Sequence, residues 1–244
     1  MDDALPTEIA LMWGLTPESR RGRRPSLSVV DITRAAIGIA DEEGLAAVSM
    51  ARVAQRLGNS TMALYRYVKS KDELLALMSD AALEEPPDPP EGDWRAALHA
   101  WACAALAAMR RHSWFARLPL TGPPAGPRNL RWFDRGLGAL ADTPLSEAEK
   151  VRIVLGLITL AHGELRMGVD LDRVHAEDPG AFGRAYAALL RRVADPRDLP
   201  AVGRVVDAGV FDHEADDPDD DTFRYSLGLY LDGVAALLHR LTTR

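Results

Sequence analysis

Apolar residues along this chain recur at intervals of three and four and hardly ever alternate, so the chain must bury its apolar surface by packing helix on helix. The expected fold class is all-α. Serines and prolines divide the pattern. Ser28, with Asp31 in the first turn, starts a helix that runs to Gly44 and carries Val29, Ile32, Ala36, Ile39 and Ala40 on one side. A short helix follows Ser49 and stops at Gly58, and a third spans about Thr61 to Val68. Ser70 and Glu73 have the spacing of a capping box and launch a fourth over Lys71–Glu84. The run Glu85-Pro86-Pro87-Asp88-Pro89-Pro90 cannot be helical, because proline has no amide hydrogen and constrains its predecessor. A boundary is expected there. Three segments result: a flexible basic arm over 1–25, a small helical domain over 26–84, and a larger helical domain over 85–244. In the last, the pattern predicts helices over Trp94–Arg111, Arg128–Ala141, Glu147–Val169, Pro179–Ala194, Ala201–Phe211 and Thr222–Leu241, with Asp212–Asp221 as a loop.

Charge is unevenly spread. The whole chain carries −7, but residues 20–71 hold ten Lys and Arg against Asp31, Asp41, Glu42 and Glu43. That segment is therefore net +6, while residues 1–19 carry −4 and the remainder −9. A basic segment on an acidic body is the asymmetry expected when one part alone meets phosphates. Cys103 is the single cysteine, which excludes an internal disulfide and a multi-thiolate zinc site and suits a cytoplasmic location. Met1 is followed by Asp2 and Asp3, unlike a secretory signal, and the greasy stretch Val151–Ala161 is too short to span a bilayer, so no membrane association is expected. His99, His112, His162, His175, His213 and His239 never stand four apart, so no metal site is expected, and no cofactor either. Nothing resembles a Gly-rich phosphate loop or a nucleophile elbow, which argues against an enzyme.

The three short helices over 28–68 have the marks of a helix-turn-helix. Val53, Ala54 and Leu57 face inward, small Ala54 allows a close crossing, and Gly58 supplies the left-handed turn. Leu64 and Val68 then point to the core. Thr61, Met62, Ala63, Tyr65 and Tyr67 are left largely outward. An uncharged, small and aromatic outer face suits a major groove: Thr bonds base edges or phosphates, Ala and Met touch thymine methyls, and Tyr hydroxyls reach phosphates. Arg52, Arg56, Arg66, Lys69 and Lys71 lie around it, able to neutralise backbone charge. The bland alternative is a helical bundle with a surface aromatic pair.

The run Leu64-Tyr65-Arg66-Tyr67-Val68-Lys69-Ser70-Lys71-Asp72-Glu73-Leu74-Leu75, with Gly44-Leu45, Val48-Ser49-Met50, Val53-Ala54 and Leu57-Gly58 before it, resembles the N-terminal domain of tetracycline-repressor (TetR) family regulators. The likeness is strong over about 25–80 and weaker beyond, where the chain looks like the all-helical ligand-binding half of the tetracycline-repressor branch. It implies a sequence-specific transcriptional regulator of double-stranded DNA. By that resemblance Thr61, Met62 and Ala63 face bases, Tyr65, Tyr67 and Lys71 meet mostly phosphates, and Ser49 presents its amides and hydroxyl to the backbone. Met50 and Ala51 stand where relatives often carry polar or basic residues. Arg20-Arg21-Gly22-Arg23-Arg24-Pro25 forms a basic arm whose Arg23 and Arg24 are candidates for a narrow minor groove.

The second half carries no comparable signature. Aromatic, sulfur-bearing or ionisable residues at helical positions are candidates for a ligand pocket: Trp101, Met109, Trp132, His162 and Arg166, with Trp114, Phe133 and Met167 behind them. A lone helix-turn-helix reads too few base pairs, so a homodimer is expected. The resemblance implies that Glu147–Val169 and Thr222–Leu241 build its interface, through Leu155, Thr159, Tyr230, Val234 and Leu237. The reading that follows is a repressor released from a palindromic operator by an unidentified small-molecule effector. The alternatives are a constitutive DNA-binding protein without an effector, or a helical enzyme.

Overall fold

Four serines open four of the helices in the N-terminal third. The computed structural model describes residues 5, 7–15, 27–88, 90, 92–119, 124–175, 179–195, 197–211 and 218–243. Among the described residues there are eleven α-helices and no strand. The first, α1 (Thr7–Met12), falls inside the arm expected over 1–25 and corrects it: this stretch is a short helix lying on the body, ended by Gly14 at φ +63°. Ser28 caps α2 (Val29–Glu43) in a reciprocal box, accepting from the Asp31 amide at 3.1 Å while Asp31 accepts from the Ser28 amide at 3.1 Å. Ile32, Ala36 and Ile39 on its inner stripe are completely buried.

Gly44, at φ +82°, turns the chain into a single 3-10 turn over Leu45–Ala47. Ser49 then caps α3 (Met50–Arg56), Ser60 caps α4 (Thr61–Leu64) and Ser70 caps α5 (Lys71–Ala81). Each hydroxyl accepts an amide three residues on, at 3.1, 3.2 and 3.0 Å. Two differences from the pattern reading appear here. The third helix ends at Leu64 rather than Val68, and the fourth stops at Ala81 rather than Glu84. The C-terminal half continues with α6 (Trp94–Arg110), a 3-10 stretch over Ser113–Arg117, α7 (Pro127–Gly138), α8 (Glu147–His175), α9 (Pro179–Val193), α10 (Pro200–Asp207) and α11 (Pro218–Thr242). The last helix begins inside the acidic run expected to be a loop.

One contiguous apolar core runs from Leu27 through α2–α6 to Leu238 of α11. Where α5 meets α7, each helix supplies what the other's end lacks. Buried Asp80 accepts from the Arg128 and Asn129 amides at 3.0 and 2.9 Å and from Asn129 Nδ2 at 3.1 Å, capping α7 from outside. The Arg128 guanidinium in turn donates to the Ala81 and Leu83 carbonyls at the end of α5. Gly126 is required for this approach, since a Cβ there would collide with the Asp80 carboxylate.

Candidate nucleic-acid interface and an internal cavity

Val53 and Ala54 of α3 and Leu64 beyond the turn are buried in the α2 core, and Gly58 makes the turn between them at φ +64°. Burying those three turns the opposite side of α4 to solvent. Met62 is 75% exposed and Tyr65 40% exposed. Thr61 is half-buried, and so are Ala63 and Tyr67, which pack against the core. The expectation that all five point largely outward is therefore corrected: Met62 and Tyr65 do, while Tyr67 keeps part of its ring inside because the helix ends before it. Arg23 and Arg24 lie outside the described residues. Ser49 is exposed, its hydroxyl occupied as a helix cap.

The cations divide in the same way. Arg52 grips Glu43 with two bonds of 2.6 and 3.2 Å, and Arg56 grips Glu42 with one of 2.8 Å and a second alongside. These forks tie the end of α2 to α3. The same hydrogen bonds hold both glutamates below the ordinary carboxylate range and raise both arginines. Lys69 Nζ donates to the Tyr65 and Arg66 carbonyls at 3.0 and 3.1 Å, closing the end of α4. Three of the five cations expected to meet phosphates are thus engaged within the chain. Arg66 and Lys71 remain exposed on the flanks of Tyr65.

Below this face, a cavity of about 680 Å³ opens between α1, α5, α6, α7 and α8. Trp101, Met109, Trp132 and His162 line it, four of the five expected pocket residues. Arg166 does not: one turn past His162, it is on the exposed side of α8. The Trp101 indole donates to the Trp132 carbonyl at 2.9 Å and the Trp132 indole to the Glu84 carbonyl at 2.8 Å, so both rings have satisfied N–H groups and offer only apolar faces. Burial pushes the His162 imidazole below the usual histidine range, which keeps it neutral at pH 7 and able to give or take one hydrogen bond. Sequence reasoning missed Phe115, Asn129, the α5 wall of Asp72, Leu75, Ala76 and Ser79, and Leu83 just past that helix, and it assigned Leu155 and Thr159 to a dimer surface rather than to the cavity they line. Nothing in the sequence marks these residues as lining one cavity, and only packing gathers them. Among the described residues, no group of three or more His, Cys, Asp or Glu could hold a metal ion, and no helix is long and apolar enough to cross a membrane.

Two family models match this arrangement. Residues 32–78 match "Bacterial regulatory proteins, tetR family", and residues 86–238 match "Tetracyclin repressor-like, C-terminal domain". The chain belongs to the TetR family of bacterial transcriptional regulators. It is 34% identical over 236 residues to the HTH-type transcriptional repressor DrrR1 of Streptomyces coeruleorubidus, covering 94% of this chain and 85% of that one. Among solved structures it resembles ActR of Streptomyces coelicolor in complex with actinorhodin, with TM-score 0.74, 26% identity, and 87% and 97% of the two chains covered. It also resembles apo ActR, with TM-score 0.73, 24% identity, and 88% and 97% covered.

In this TetR-family chain the residues expected at a dimer surface separate. Val234 is 5% exposed and belongs to the intrachain core, as do Leu227 and Leu231. Leu155 and Thr159 line the cavity. Tyr230 donates its hydroxyl to the Ile153 carbonyl at 3.1 Å across Gly156, joining α11 to α8 within one chain, and Leu237 is half-buried. The large apolar residues these helices leave exposed are Tyr225 and Leu229 of α11 and Met167 of α8. A period of three and four could not tell which of two apolar stripes on α11 faces inward.

Proposed function

We propose that this regulator is a homodimeric repressor that leaves a palindromic operator when a small molecule fills the 680 Å³ cavity. The observation that carries this is the composition of the cavity wall. Asp72, Leu75, Ala76 and Ser79 come from α5, the helix that directly follows the groove-facing α4, and Leu83 lies just past its end. A molecule too large for the resting cavity must push on that helix. Any shift of α5 changes the separation of the two reading heads, which must stay near 34–36 Å to meet successive major grooves. The effector acts only through its different affinity for the two spacings.

Within this reading, residues 26–84 grip DNA and 85–244 sense and dimerise. Thr61, Met62 and Ala63 face bases, Tyr65, Tyr67, Ser49, Arg66 and Lys71 meet phosphates, and Arg23 and Arg24 follow the minor groove. Trp101, Phe115 and Trp132 with Met109 suit a flat, mostly apolar molecule, and His162 and Asn129 suit one or two polar groups on it. The repressor DrrR1, at 34% identity, supports repression, and ActR held in complex with actinorhodin supports a small-molecule occupant.

The test has two steps. Selection from random duplex DNA should yield a palindrome bound by a dimer, and a compound that raises the melting temperature should then release the protein from it. A compound that binds in the cavity yet leaves operator affinity unchanged would refute release by effector.

A further inference from the structure

We propose that the N-terminal helix α1 is a working wall of the effector site: Ile9 and Met12 touch the occupant, and the Trp13 bond to Ala125 holds that wall in place. The inference rests on the cavity being the effector site. Helix α1 lies outside both family-model matches, which span residues 32–78 and 86–238, yet Ile9 and Met12 line the cavity with Leu75 of α5. Leu11 and Met12 pack against the main core, and α1 contacts α5.

A six-residue helix has no stability of its own, because nucleating the first turn fixes several residues for a single hydrogen bond. Its place therefore depends on its contacts. One is long-range and polar: the Trp13 indole donates to the Ala125 carbonyl at 2.9 Å, across 112 residues, and Ala125 itself lines the cavity. That bond sits at the surface, with Trp13 46% exposed, where water competes for both partners. So the wall is held by three partly buried apolar side chains, Ile9, Leu11 and Met12, and one competed hydrogen bond. An element held this weakly opens locally far more often than the core unfolds. It thereby sets how fast the cavity fills and empties. Met12 is unbranched and polarisable, which lets the wall adapt to the face of an aromatic guest.

The test uses the full chain and a neutral apolar fluorophore, N-phenylnaphthylamine, followed by stopped-flow fluorescence. The native chain should bind the dye, and Ala105→Phe, which fills the cavity from α6, should abolish binding. Ile9→Ser with Met12→Ser should release the dye about tenfold faster, equivalent to about 1.4 kcal/mol, with helicity unchanged. Trp13→Phe keeps the ring and drops only the donor. It should also speed release, and it carries the test if the serine pair loses helicity. No dye binding, or binding that survives Ala105→Phe, would overturn the cavity reading and this inference together. Loss of binding in Ala105→Phe combined with native release rates in the α1 variants would leave the cavity reading intact and sink the role of α1 alone.

Discussion

Tyr65 and Tyr67 stand two residues apart and yet differ in their surroundings. The Tyr65 side chain is the more exposed, while Tyr67 is half-buried against the core. Tyr65→Phe removes one hydroxyl and nothing else. It should weaken operator binding by roughly tenfold, the worth of a hydrogen bond to a charged phosphate, and leave the melting temperature where it was. Tyr67→Ala should instead lower the melting temperature by several degrees, on the order of the loss of half an aromatic side chain's burial. Parallel gel-shift and thermal melts separate the two, and equal melting losses would refute the division. His162 offers a second residue-scale test. Burial depresses its folded-state pKa below the unfolded value of about 6.5, so the unfolded chain binds more protons as pH falls through that value. Stability must then rise with pH between the depressed folded pKa and 6.5, and fall on acidification. His162→Gln should flatten this part of the profile in urea titrations at pH 5 and 7. An unchanged profile would show that the imidazole is not shielded.

At the scale of the element, the junction of α5 with α7 links the N-terminal helical domain to the C-terminal one. Asp80 caps α7 through three N–H groups, and Arg128 caps α5 in return. Asp80→Ala strands two part-buried amides at the start of α7 and should cost about 2 kcal/mol in urea unfolding. A loss below about 1 kcal/mol would mean that water replaces the carboxylate. A second tie joins the halves at the far end of α2, where Asp41 Oδ1 accepts from the Trp114 indole at 2.7 Å and lies 2.7 Å from His112 Nδ1. Neither tie is legible in the sequence, because its partners stand 48 and 73 residues apart. What the chain announces is local. Ser28, Ser49 and Ser70 each bond an amide three residues on, so their spacing alone predicts the starts of α2, α3 and α5. Where α4 stops is decided otherwise, by Lys69 reaching back to the Tyr65 and Arg66 carbonyls just past its last residue and by Tyr67 packing inward. The same limit explains the site: four ring, sulfur and imidazole positions were readable as helix residues in need of a partner, whereas the α5 wall that makes the cavity informative became visible only through packing.

For the whole molecule, charge and symmetry act together. Residues 20–71 are basic and the rest is acidic, so a duplex is drawn to one face and repelled by the body. One such face holds a half-site weakly; two held in register multiply their affinities. The apolar residues left uncovered on α11 are therefore the proposed seam. Tyr225 is 69% and Leu229 57% exposed, and Gly233 and Ala236, small and exposed, continue the same face at intervals of four and three. Leu227, Leu231 and Val234 on the opposite side already pack within the chain, and the Tyr230 hydroxyl locks α11 to α8, so the seam is presented on a rigid pair of helices. Leu229→Glu places a charge in the centre of that face without touching the intrachain core. The variant should sediment as a monomer with native helicity, and operator affinity should fall by roughly 100-fold as the second half-site is lost. A Leu229→Glu chain that still sediments as a dimer and binds the operator at full strength would move the seam to another face, and with it the route by which α5 sets the distance between reading heads.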